Sequence, residues 1–152
     1  MHQLADAGNT RKGGGTTNRE MFSGISSACR RCGLKMAAPG EVRLKEIKKY
    51  IDSGIPIFWS MYSGTDYEVL RSRNSYLRQR ASSPQEWAKK NKKLSVKRDG
   101  GGHMCLIIGY NESTQEIAVS NSWGMGEVKP SWVPLHIALK VSQGKTVVLM
   151  PR

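Results

Sequence analysis

Apolar positions along the chain switch between helical and strand periods, and the switches mark the elements. From Asn18 to Arg31, Met21, Phe22, Ile25 and Cys29 recur at helical spacing, with Thr17 or Asn18 as cap and Gly33 as stop. Pro39-Gly40 marks a turn. Glu41 to Ser53 reads as a second helix, with Val42, Leu44, Ile47, Tyr50 and Ile51 as its stripe, lysines opposite and Gly54 at its end. Ile55 to Tyr62 is a strand entered through Pro56. Residues 63–100 are the least regular. Two polar helices are expected there, roughly Asp66 to Arg80 and Pro84 to Lys93, the second opened by Ser82-Ser83-Pro84-Gln85-Glu86-Trp87. Farther on, Ser131 to Val133 reads as a short strand, Pro134 to Val141 as a short helix closed by Gly144, and Lys145 to Met150 as a final strand. This order suits an α+β domain with an antiparallel half-barrel.

The densest pattern lies at residues 100–124. Three glycines and His103 run into the apolar segment Met104 to Tyr110. A polar turn, Asn111 to Gln115, leads to Ile117–Ser120 and then Asn121-Ser122-Trp123-Gly124. Two β-rich runs joined by a short polar loop predict a hairpin. With an odd loop, Glu112 to Thr114, Tyr110 pairs with Glu116 and His103 falls opposite Trp123. Asn121 is then two residues along the same face, within reach of the imidazole, whereas a one-residue slip would turn it away. An imidazole held by a carboxamide is what a cysteine nucleophile needs: the ring takes the thiol proton, and the Asn oxygen fixes tautomer and orientation. Gly102 and its neighbours permit close approach of backbone or substrate.

Gly-His-Met-Cys-Leu-Ile-Ile-Gly-Tyr followed by Ser-Asn-Ser-Trp-Gly resembles the His and Asn strands of papain-like cysteine peptidases. The wording is closest to bacterial domains similar to bacteriocin-processing (double-glycine-type) peptidases. The resemblance covers Leu4 to about Met150, and its specific part is the two strands. It implies a papain-like fold, peptide-bond hydrolysis by acyl transfer, a peptide or protein substrate, and no metal or organic cofactor. His103 would be base and then acid, Asn121 its orienter, and Trp123 a shield that keeps water from their hydrogen bond. Taken singly, these residues read equally as a hairpin histidine, a turn-favouring Asn and a packed indole; their joint occurrence favours the functional reading. His2 and His136 have no such context.

The nucleophile is harder to find. Papain-like sites set the cysteine at a helix N-terminus, where the dipole and the histidine stabilise a thiolate. Cys29 falls late in its helix, where the dipole disfavours an anion; Arg30 and Arg31 could offset this, but Cys29 is not expected to serve as nucleophile. Cys105 sits two residues after His103 on the same face and is expected to pack inward. Gln3 has no cysteine at the distance an oxyanion-hole glutamine requires. The chain opens with His2 to Ala7, which reads as a helix end, then a flexible loop from Thr10 to Thr17. In relatives, similar Ala-Gly-Asn-Thr and Gly-Gly-Gly-Thr passages follow the nucleophile helix. The resemblance therefore leads us to expect a truncated chain, inactive by itself, with that helix upstream of Met1. The runner-up is a non-catalytic module holding a peptide or an acidic partner on the same fold.

Size and charge refine the picture. At 152 residues the chain is expected to form a single domain, residues 1–152, with a basic helical insertion at about 63–100. It carries 24 Lys and Arg against 12 Asp and Glu, a net +12, which attracts nucleic acid or anionic surfaces without specifying a fold. The insertion offers Tyr76 and Trp87 as stacking groups for RNA, but no nucleic-acid motif accompanies them, and a solvated charged face is the commoner meaning. Cys29-Arg30-Arg31-Cys32 is a CxxC without the second pair a structural zinc site uses, and it closes a helix where a thioredoxin-like motif opens one. No apolar run has transmembrane length. Three cysteines cannot all pair within one chain.

Overall fold

The computed structural model describes residues 17–70, 80–121 and 130–152. Within them the order is α1 (Asn18–Arg31), β1 (Leu34–Ala37), α2 (Leu44–Ile51), β2 (Ile57–Ser63), α3 (Pro84–Asn91), β3 (Gly101–Asn111), β4 (Glu116–Ser120), β5 (Ser131–Pro134), α4 (Leu135–Val141) and β6 (Ser142–Pro151). Residues 65–70 are also helical. The six strands make one sheet in the order β1-β6-β2-β3-β4-β5, every neighbouring pair antiparallel. This is the expected α+β arrangement of helices on an antiparallel sheet, with the half-barrel realised as an open sheet.

Strand register sorts the side chains. Met61 lies opposite His103, Trp59 opposite Cys105 and Ile57 opposite Ile107, so all six share one face. That face is the core. Ile47 and Tyr50 of α2 and Ile137, Ala138 and Val141 of α4 pack onto it with Ile117, Val119 and Val148. A buried side chain of this size contributes about 1.5–3 kcal/mol. The other face carries Ser60, Gly102 and Glu116. Asn18, the first residue of α1, reaches Ser60, and Trp87 of α3 donates through Nε1 to Oε1 of the fully buried Glu116 at 3.0 Å.

Local chemistry explains most boundaries. Thr17 and Glu20 close a reciprocal capping box on α1: Glu20 N donates to Thr17 Oγ1 at 3.3 Å, and Thr17 N donates to Glu20 Oε2 at 3.1 Å. The expected Glu41 helix starts three residues late. Arg43 is extended and its guanidinium donates to Glu41 at 2.8 Å, while Val42 is buried ahead of the helix. Tyr110 donates its hydroxyl proton to Asp52 at 2.7 Å, which pushes its pKa up and ties the end of α2 to β3.

Other expectations need correction. Leu34–Ala37 forms an edge strand that its mixed sequence did not announce. Gly144 does not close the α4 helix. Ser142 is already extended, and Gly144, at φ +72°, sits in an irregularity of β6 where the register shifts between Ser60–Lys145 and Met61–Ser142. The helix expected over Asp66 to Arg80 is described for residues 65–70; its remainder, Tyr76 included, and the chain start before Thr17 lie outside the described residues.

Candidate functional site

The hairpin that carries His103 reaches its register by two offsets. Asn111 Oδ1 accepts from Ser113 N at 3.0 Å, Ser113 Oγ at 2.7 Å and Thr114 N at 3.2 Å, which winds the chain into a turn. Gln115 completes it at φ 54°. The result pairs Asn111 with Glu116 and Tyr110 with Ile117, one residue away from the expected Tyr110–Glu116 pairing. Further along, the register shifts between Ile107 and Gly109, leaving Ile108 as an extra, exposed residue. Beyond this bulge Ile107 faces Val119 and Leu106 faces Ser120. The two offsets cancel, and Asn121 follows on the core face beside His103.

Their side chains meet. His103 Nε2 lies 2.7 Å from Asn121 Oδ1, and both residues are partly buried. A carboxamide oxygen only accepts, so Nε2 is the protonated nitrogen and Nδ1 holds the lone pair. Trp123, expected as the shield, lies outside the described residues.

Gly102, lacking a side chain, lets another part of the chain come close to the strand. A Cβ there would stand 2.9 Å from Gln143 Nε2, so the space is filled by a side chain of β6. Asn18 Nδ2 donates to Gln143 Oε1 at 2.8 Å, and Ser60 Oγ reaches both Gln143 Oε1 and, at 3.0 Å, Asn18 Oδ1. This cluster joins α1, β2 and β6 directly behind the His103 strand. Its members lie between 42 and 125 positions apart along the chain, so no local pattern in the sequence marks them. Gly100, at φ +85°, is required for another reason: a Cβ would come 2.6 Å from the backbone of Gly64.

The three cysteines are free thiols. Cys105 is buried, with Sγ 3.9 Å from Met61 Sδ, packed on the face that His103 shares. Cys29 is buried eleven residues along α1 from Asn18, about 16 Å down the axis. It is Asn18, at the other end, that borders the His103 strand. Cys32 is exposed at the C-cap. Trp87 cannot be the stacking platform expected of the basic insertion. It is 2% exposed, and its indole N–H is engaged by Glu116. Among the described residues no cluster of His, Cys, Asp and Glu is placed to hold a metal ion, and no helix is long and apolar enough to cross a membrane.

Residues 14–136 match the sequence profile described as the Peptidase_C39 like family. Among solved structures, the chain is similar to the peptidase domain of Streptococcus ComA, a bi-functional ABC transporter involved in a quorum-sensing pathway. The superposition has a TM-score of 0.54 at 12% identity and covers 98% of this chain and 76% of that one. At this identity the likeness is one of fold. No curated protein matches the sequence.

Proposed function

The chain belongs to the Peptidase_C39-like family, and from that premise we propose that it is a cysteine-peptidase-type domain for a peptide substrate, with His103 as general base and then acid and Asn121 as its orienter. The observation that carries this reading is the 2.7 Å contact between His103 Nε2 and Asn121 Oδ1. With Nε2 committed to the carboxamide, Nδ1 is the nitrogen that would take a thiol proton. The thiolate would then attack the scissile carbonyl carbon, and the imidazolium would return the proton to the departing amine. In this reading Trp123 would have the shielding role that the resemblance implies, and Gly102 with Gln143 supports the strand behind the pair. Residues 1–152 act as one unit in this reading, with the excursion over 63–100 as part of it.

These 152 residues bring no thiol into line for that step. Cys105 is turned to Met61, and Cys29 is far along α1. We therefore read the chain by itself as holding peptide without cleaving it; acyl transfer needs a thiolate from outside these residues. The same two placements favour the second reading, a non-catalytic module on this fold that binds a peptide or an acidic partner.

Both readings are tested by mixing the chain with peptides bearing a double-glycine cleavage site and recording mass spectra and His103 and Asn121 NMR signals together. The expected outcome is a shift of both residues with the peptide intact. Cleavage that disappears in His103→Ala and in one Cys→Ser variant would give the chain its own nucleophile and overturn the inactivity. Binding that leaves His103 and Asn121 undisturbed supports the module.

A further inference from the structure

The segment after α3 runs between two helical elements and is fastened to both. Leu94 O accepts from His136 Nε2 at 3.0 Å, and Ser95 Oγ accepts from Lys140 Nζ at 3.4 Å, tying the segment to α4. Lys97 N donates to Asp66 Oδ2 at 3.2 Å, tying it to the helical residues 65–70. Val96 is buried between these ties. The segment is therefore a fixed part of the surface.

What it presents outward is consistent. Lys92, Lys93 and Lys97 are exposed, and Lys140 extends the set on α4. Among the described residues none of these ammonium groups is paired with a carboxylate, and Asp66, beside the segment, is used by a backbone N–H. Each flanking helical element adds an exposed aliphatic side chain. Leu139 is 44% exposed on the same α4 face as His136 and Lys140, and Val69 is 58% exposed one turn after Asp66. Together with Ile108 these are the exposed large hydrophobics among the described residues. Two of the three thus border one lysine-lined segment.

We propose that this face, the 92–97 segment between Val69 and Leu139, docks on a negatively charged lipid surface. Lysines near an anionic bilayer are drawn to its headgroups, and aliphatic side chains standing among them enter the boundary between headgroups and acyl chains. Nucleic acid fits less well. It would use aromatic groups for its bases, and the tryptophan of this region, Trp87, is buried against Glu116. An exposed Leu and Val gain nothing from a phosphate backbone, whereas a bilayer interface buries them.

The test is co-sedimentation of the full chain with vesicles of phosphatidylcholine alone and of phosphatidylcholine with about 30% phosphatidylserine. Binding is expected only to the second, and to fall steeply as salt is raised. The pair Lys92→Glu, Lys93→Glu should weaken it by at least about twentyfold, since each lysine near such a surface is worth about fivefold. The pair Lys97→Glu, Lys140→Glu, at the far end of the segment and on α4, should do the same and guards against one variant misfolding. Leu139→Ser should weaken it severalfold with the thermal melt unchanged. Equal binding to both vesicles, or indifference to both lysine pairs, overturns the proposal. Tighter binding to a single-stranded oligonucleotide or to polyglutamate, unaffected by Leu139→Ser, assigns the face to that polyanion and overturns it as well.

Discussion

His103 and Asn121 touch across a ladder in which they are not partners: the register sets Asn121 opposite Cys105, one step from His103 along the core face, yet Nε2 and Oδ1 are 2.7 Å apart. Such diagonal contact requires the ring to lean along its strand toward β4. The imidazole should therefore be a single tautomer when neutral. Nitrogen NMR at alkaline pH is expected to show the proton on Nε2, and Asn121→Ala should mix the tautomers while costing about 0.5–1.5 kcal/mol of stability for one hydrogen bond. A proton found on Nδ1 in the unaltered chain would contradict the assignment.

The bulge makes a paired prediction. Removing Ile108 deletes only the residue that has no place in the ladder, so Ile107 keeps Val119 and His103 keeps its face. Its side chain is 41% exposed, and the deletion should cost about 1 kcal/mol or less. Removing Leu106 instead lies between the bulge and His103 and turns the imidazole to the opposite face. The Nε2 proton signal should survive the first deletion and vanish in the second.

Trp87→Phe removes the indole donor from a carboxylate that is fully buried. Hydrogen bonds to charged groups are worth about 1.5–3 kcal/mol, so urea melts should fall by that amount with the slope unchanged. Trp87→Phe with Glu116→Gln should recover part of the loss, because the neutral amide suffers less from losing the donor. A loss no smaller in the double variant would show that packing of the indole, and not its N–H, sets the cost.

At the start of α3, Glu86 has its pKa lowered from 4.5 to about 2, chiefly by Lys90, whose Nζ lies 2.7 Å from the carboxylate, and then by Ser82. A folded-state pKa below the unfolded one means that the carboxylate stabilises the fold above about 4.5 and that this contribution fades as pH falls toward 2. Carboxyl NMR titration should place the midpoint near 2, and Lys90→Met should move it upward. The side chains are exposed, so high salt should also raise it.

The sequence was most legible where a local rule acted alone. α1 spans Asn18–Arg31 as its apolar spacing indicates, because Thr17 and Glu20 close its first turn within four residues. Ser83, Pro84 and Glu86 did the same for α3. The proximity of Asn121 to His103 was also readable, although the path to it was not: the four-residue loop and the bulge at Ile108 each departed from the expected ladder by one residue, in compensating directions. Hidden features depend on distant partners. Gln143 acquires its place from Asn18 and Ser60, Trp87 looks like a surface aromatic until Glu116 meets it, and Leu34–Ala37 is a strand only because β6 continues to Pro151.

Gly64 and Gly100 press backbone against backbone where β2 ends and β3 begins. Topologically, β2 and β3 are then a hairpin whose loop is roughly nine times longer than the one joining β3 to β4, and closing it costs about 2 kcal/mol more chain entropy. In the order of folding, the β3–β4 hairpin is therefore the early event and the β2–β3 seam a late one. The late step is driven by what the long excursion brings back with it, Tyr67, Leu70 and Val96 to the core. The imidazole and its carboxamide come together in the first of these steps, but the floor behind them, Ser60 and Gln143, arrives in the second.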